Sequence, residues 1–202
     1  TLGSGFRIAM RDLEIRGCGN ILGGEQSGNI ASVGYETYTQ LIAETVAELK
    51  GEPTKIVYLP NFDVSSDATI PDKYIELESQ KITLYKRITN LKTLEEIDDI
   101  YEELDDRFGT PPEGVKQLLD VMRARVHGSQ IGATKLYVSK GIFTMVFPKK
   151  HGITQATLKQ LTDKYGKGMQ LSVNPDPAIN IQLPKGSNPV AFALEALQII
   201  TN

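Results

Sequence analysis

The sequence predicts an α+β protein: an N-terminal helix–loop–helix segment, then a helical region, then a four-stranded antiparallel sheet with helices on one face. Three patterns carry this expectation. Apolar residues recur at helical spacing on both sides of a glycine-rich stretch near the N-terminus, two capping boxes open helices in the middle, and an alternating strand followed by helix-spaced leucines occurs twice near the C-terminus.

In the first segment, Phe6, Ile8, Ala9, Met10 and Leu13 suit one buried helix face over residues 5–14. Five glycines then fall within Gly17 to Gly28. Such a stretch is either disordered or needs unusual dihedrals, because each ordered glycine loses more backbone freedom than other residues do. Tyr35, Tyr38, Leu41, Ile42, Val46 and Leu49 resume the helical period until Gly51 and Pro53 end it, which places a boundary near residues 51–54.

Residues 54–72 are β-branched, hold two prolines and contain several small polar residues, as an exposed strand or extended linker would. Three helices should follow. The first covers about 73–90, the second starts at Thr93 as N-cap with Glu96 at N3, and the third at Thr110 as N-cap with Pro111 at N1 and Glu113 at N3.

Residues 142–161 align with residues 178–197 at an offset of 36. Phe143, Met145, Phe147, Pro148, Lys149, Leu158 and Leu161 then face Ile179, Ile181, Leu183, Pro184, Lys185, Leu194 and Leu197. The pattern suggests two hairpin-plus-helix units forming one sheet whose helices cover a single face.

The 202-residue chain has an ordinary globular composition, 40% hydrophobic and 23% charged. It begins at Thr1 and shows no leader-like segment and no apolar run near membrane-spanning length, so it reads as part of a longer cytoplasmic protein. One cysteine and two histidines leave no disulfide framework and no zinc pattern. Residues 1–52 hold four Lys or Arg against seven Asp or Glu, and residues 53–202 hold eighteen of each, so no basic half marks a stand-alone nucleic-acid binder.

Known catalytic patterns are missing. The glycine stretch has no Walker-type lysine, and its Gly17, Gly19, Gly23 spacing misses the dinucleotide fingerprint by one residue. There is no nucleophile elbow and no zincin helix. His127 and His151 read as surface or helix-end residues, and Cys18 as a small packing residue. No catalytic residue and no metal ligand is assigned.

Residues 95–106 carry eight carboxylates in twelve positions beside an apolar stripe of Leu94, Ile97, Ile100, Tyr101, Leu104 and Phe108. Two readings stay open on the residues alone: a solvated outer helix face, or a docking surface for a basic partner.

Residues 2–28 (LGSGFRIAMRDLEIRGCGNILGGEQSG) resemble the TRG translocation motif shared by RecG-type helicases and the transcription-repair coupling factor family. IPDKYIELESQKITLYKRI (70–88) and EELDDRFGTPPE (102–113) look like the C-terminal domain of the coupling factors, which RecG-type helicases lack. The resemblance therefore favours the coupling factors, clearly over about the first 130 residues and weakly beyond. It implies residues 1–52 as the translocation motif at the end of a RecA-like motor lobe, and residues 53–202 as a regulatory C-terminal domain.

The resemblance further implies a parent that is an ATP-dependent double-stranded DNA translocase of helicase superfamily 2. That parent displaces stalled RNA polymerase and recruits nucleotide-excision repair through UvrA. Arg16 and Gln26 match the residues that couple ATP hydrolysis to DNA movement, although Cys18 stands where alanine is usual. On the residues alone, Arg16 could equally cap the preceding helix near its negative dipole end.

Glu103 and Asp106 match a surface that docks the parent's own N-terminal UvrA-binding module. ATP and magnesium would serve the parent's motor, with no cofactor and no ATP hydrolysis in this segment alone. The partners implied are that module, the motor lobe, RNA polymerase, UvrA and double-stranded DNA, and no membrane. The competing readings are a motor part that touches DNA or polymerase directly, and a fragment of a RecG-like fork helicase.

Overall fold

The computed structural model describes residues 58–149, 153–173 and 175–201. All of these except Tyr58 belong to one compact unit. The expected helix–loop–helix over residues 1–52 and the boundary near residues 51–54 lie outside the described residues.

The chain enters as strand β1 (Asn61–Asp63) and continues through helices α1 (Glu78–Thr89), α2 (Leu94–Phe108) and α3 (Glu113–Gln130). Strands β2 (Lys135–Ser139) and β3 (Ile142–Val146) lead to α4 (Gln155–Tyr165), and β4 (Met169–Ser172) and β5 (Ala178–Gln182) lead to α5 (Pro189–Thr201). This is the expected α+β arrangement, with the sheet order β1-β2-β3-β5-β4.

The sheet differs from the expectation in one strand. β2, β3, β5 and β4 form the antiparallel four, but β1 adds a fifth strand parallel to β2, with Phe62 opposite Leu136. The segment read as exposed or linker-like is built into the core instead: Phe62, Val64, Ala68 and Ile70 are all buried. Alternating Phe62 and Val64 supply the inward side of a strand, and burial of those side chains outweighs the prolines nearby. Arg125 of α3 fixes its start, donating from Nε to the Pro60 carbonyl at 2.9 Å.

The two hairpin-plus-helix units are present and packed together. β2 and β3 turn through Lys140 and Gly141, both at positive φ (51° and 73°), as a two-residue hairpin with matching twist requires. Phe143, Met145, Ile179 and Ile181 are buried on the same side of the sheet. The opposite side bears Tyr137, Gln170, Ser172 and Asn180, so the helices lie on one face.

Helix starts follow local chemistry with two adjustments. α2 opens on the expected capping box, in which Thr93 Oγ1 accepts from the Glu96 N–H at 3.2 Å and Glu96 Oε2 accepts from the Thr93 N–H at 3.1 Å. The expected box at Thr110 does not form, and Pro112 is the N-cap of α3. Pro111 precedes a second proline, whose ring drives it out of the helical region, so the helix cannot begin before Pro112.

α1 begins at Glu78, five residues later than expected. Residues 71–75 form a separate turn, in which Tyr74 and Ile75 N–H groups bond to the Pro71 carbonyl. Tyr74 Oη is held between the carbonyls of Leu104 (3.1 Å) and Gly109 (2.8 Å) at the far end of α2.

Candidate functional site: the acidic helix and its groove

α2 is amphipathic in the ordinary way, with Ile97, Ile100 and Leu104 buried against the protein. A helix turns about 100° per residue, so Glu95, Asp99, Glu102 and Asp106, spaced four, three and four apart, form one row almost opposite that apolar line. All four are exposed. None has an ion-pair or side-chain hydrogen-bond partner among the described residues.

The remaining carboxylates of the helix are mostly committed internally. Glu96 closes the capping box and also accepts from the Lys92 N–H at 2.6 Å. Asp98 pairs with Arg123 of α3 at 2.8 Å, and Arg123 also holds Asp120 of its own helix at 2.9 Å. Asp105 is exposed beside the row.

Glu103 and Asp106, expected to act together, are separated by their surroundings. Arg87 of α1 donates to both Glu103 oxygens, Nη1 to Oε1 at 2.9 Å and Nη2 to Oε2 at 2.6 Å. Arg107, one helical turn further on, donates to Oε1 at 2.5 Å and sits over the Phe108 ring. The hydrogen bonds from Arg87 and then Arg107 hold the Glu103 carboxyl at about 2, well below its ordinary value. Asp106 instead faces solvent in the unpaired row.

The Arg87–Glu103 pair also divides a groove between α1 and α2. On one side lies an open depression of about 550 Å³ lined by Lys86, Asn90, Glu96 and Asp99 among others; on the other lies one of about 190 Å³ that reaches Ile75, Leu84 and Phe108. Both border Arg87 and Glu103. The exposed row, rather than the groove with its Lys86, Arg87 and Arg107, can attract a cationic partner electrostatically, and neither offers a nucleophile–base pair. Among the described residues no group of three or more His, Cys, Asp or Glu is placed to hold a metal ion.

The arginines were the part missed in the sequence. Glu103 and Arg107 stand at i and i+4, a readable pair, whereas Arg87 is sixteen residues away and reaches Glu103 only because α1 and α2 pack side by side. Arg16 and Gln26 lie outside the described residues, as do Cys18 and His151. His127 sits in the last turn of α3, buried, with Nδ1 2.8 Å from Thr201 Oγ1; burial pushes its pKa down. No helix among the described residues is long and apolar enough to cross a membrane.

Residues 64–158 match the TRCF domain family. A transcription-repair-coupling factor from Myxococcus xanthus is 35% identical over 207 residues, covering 98% of this chain and 16% of that protein. One from Staphylococcus epidermidis is 39% identical over 189 residues, covering 91% of this chain and 16% of its own length. The chain thus spans about a sixth of these relatives. Among solved structures, the C-terminal domain of a transcription-repair coupling factor superposes with a TM-score of 0.60 at 21% identity, covering 70% of this chain and 90% of that one, which is a likeness of fold.

Proposed function

With residues 64–158 carrying the TRCF domain and the relatives matching along nearly its whole length, the chain belongs to the transcription-repair coupling factor family, and from that premise we propose that it is an interaction-controlling part of a larger DNA-repair motor. The parent in this reading is a cytoplasmic, ATP-driven double-stranded DNA translocase that displaces stalled RNA polymerase and recruits excision repair through UvrA. ATP and magnesium belong to motor lobes outside this chain, and no residue here is assigned to them. The chain alone hydrolyses no ATP.

Within that parent, residues 1–52 contribute the coupling pair Arg16 and Gln26. A planar donor fork and an amide with both donor and acceptor groups suit contacts that are remade as a motor lobe moves. Residues 53–202 contribute a docking face that covers the parent's own UvrA-binding module until polymerase is engaged.

The observation that carries this reading is the unpaired row Glu95, Asp99, Glu102 and Asp106, standing opposite the buried side of α2. An exposed carboxylate row steers and orients a partner of opposite sign, such as an arginine-bearing face. It repels a phosphate backbone, which counts against direct DNA contact through α2. Glu103 in this reading positions the face by stapling α2 to α1, and Asp106 supplies the outward charge.

The test is a titration of this 202-residue chain with the parent's UvrA-binding module. Saturable binding that weakens with salt and is lost in Asp106→Arg supports the docking role. Equal binding by Asp106→Arg and by a control reversal at Asp163, on α4, rejects it.

A further inference from the structure

The two hairpin-plus-helix units are related by an approximate twofold operation. β3 and β5 pair antiparallel with Thr144 opposite Asn180, residues separated by the same 36 positions as the sequence repeat, and Thr144 Oγ1 donates to Asn180 Oδ1 at 2.9 Å. The operation that exchanges β3 with β5 also exchanges β2 with β4. Leu136, opposite Met145, then corresponds to Met169, opposite Ile181; Val138, opposite Phe143, corresponds to Leu171, opposite Ile179.

The two outer edges related in this way are treated differently. β1 closes the edge of β2, running parallel to it, with Phe62 seated opposite Leu136 and Val64 buried two residues on. Leu136 is fully buried beside Gly128 of α3, its counterpart Met169 is partly buried, and Val138, the counterpart of Leu171, is partly buried as well. Among the described residues nothing pairs with the outer side of β4, where Leu171 is 57% exposed and Val173 80% exposed.

Natural sheets blunt an open edge with charges, proline or a bulge, because unpaired backbone groups recruit other strands. Within the four residues of β4 there is no charge, proline or bulge, although Lys167 precedes the strand and Pro175 follows it. Residues 169–173 are Met, Gln, Leu, Ser and Val, and β4 pairs with β5 in an unbroken register from Met169 to Ser172.

We propose that the outer edge of β4 is a docking site for an extended segment of a partner polypeptide, which adds parallel to β4 as β1 adds to β2. Its main chain completes the ladder. Two apolar side chains, spaced two residues apart as Phe62 and the buried Val64 are, lie at the level of Met169 and Leu171, the first in the place that Phe62 takes opposite Leu136, which gives the site its selectivity. A second copy meeting β4 to β4 about a twofold axis would run antiparallel, against the parallel precedent inside the molecule.

The chain's own segment 60–66 is the probe. A fluorescently labelled peptide of that sequence is titrated into the 202-residue chain and followed by anisotropy, with amide exchange mapping the site. The expected result is saturable binding with new protection at residues 169–172, weakened about tenfold or more by Leu171→Lys and absent for a peptide with serine at the Phe62 and Val64 positions. Leu171 is exposed, so Leu171→Lys keeps the far-ultraviolet circular dichroism of the parent chain. No saturable binding, binding indifferent to Leu171→Lys, or protection confined to β2 through displacement of β1 overturns the proposal. Concentration-dependent self-association through β4 that the peptide fails to compete also overturns it, in favour of a second copy.

Discussion

Arg87 of α1 and Glu103 of α2 meet through two parallel N–H···O contacts, 2.9 and 2.6 Å long, that tie the helices together across their groove. Bidentate geometry of this kind is the strongest form of an arginine–carboxylate contact, and Arg107 adds a third donor to the same carboxylate. Their exposure limits what the pair contributes, since the Arg87 side chain is 46% exposed and water screens it.

A double-mutant cycle of Arg87→Ala and Glu103→Ala should therefore give a coupling of about 0.5–1 kcal/mol at neutral pH, reduced by salt. The sign with pH follows from the lowered carboxyl. Its contribution is fully present above the ordinary value of 4.5 and is lost as pH falls through the folded value of about 2. Urea unfolding of the four proteins at neutral pH and near pH 3 checks both points, and a coupling that grows on acidification contradicts the assignment.

Gly114 shows where shape overrides propensity. It is the second residue of α3, and a Cβ there would stand 2.5 Å from the Thr69 carbonyl oxygen and 3.1 Å from that of Asp67. Alanine ordinarily stabilises a helix by up to about 1 kcal/mol relative to glycine. Gly114→Ala should instead destabilise by about 1–3 kcal/mol, because backbone on both sides has to shift. A urea midpoint equal to or above that of the unsubstituted chain would show that the segment 67–69 yields easily.

How much of this was legible in the sequence depends on the range of the interaction involved. Thr93 and Glu96 announced their helix because a capping box is closed by residues three apart. The repeat at 36 was legible because alternating Phe143 and Met145 are echoed by Ile179 and Ile181, and the structure places those strands side by side.

β1 was underread. The prolines of its segment, Pro60 and Pro71, suit a linker, and only the sheet edge waiting at β2 turns Phe62 and Val64 into core residues. Pro112 displaced the expected cap at Thr110 because the restriction a proline imposes falls on the residue before it. The Glu103 site was half visible: its i, i+4 partner Arg107 could be read off, while Arg87 depends on how two helices pack. Asp106 and Glu103 share a sequence motif but not an environment, a distinction no spacing rule contains.

Arg16 and Gln26 make a separate prediction about the parent protein. If they relay motion, Arg16→Ala should retain DNA-stimulated ATP hydrolysis while losing displacement of stalled RNA polymerase, measured side by side on the same preparation. Parallel loss of both activities would point to a defect in the motor lobe itself.

The most direct measurement of the docking account is UvrA capture by the full-length parent carrying Asp106→Arg, compared with the unsubstituted parent and with the control reversal at Asp163. Reversing one charge in an outward row should weaken the contact that covers the UvrA-binding module, so the account predicts several-fold greater capture by Asp106→Arg in the absence of polymerase and no change for the control. Capture that is the same for all three proteins would contradict it and leave the acidic row of α2 as a solvated helix face.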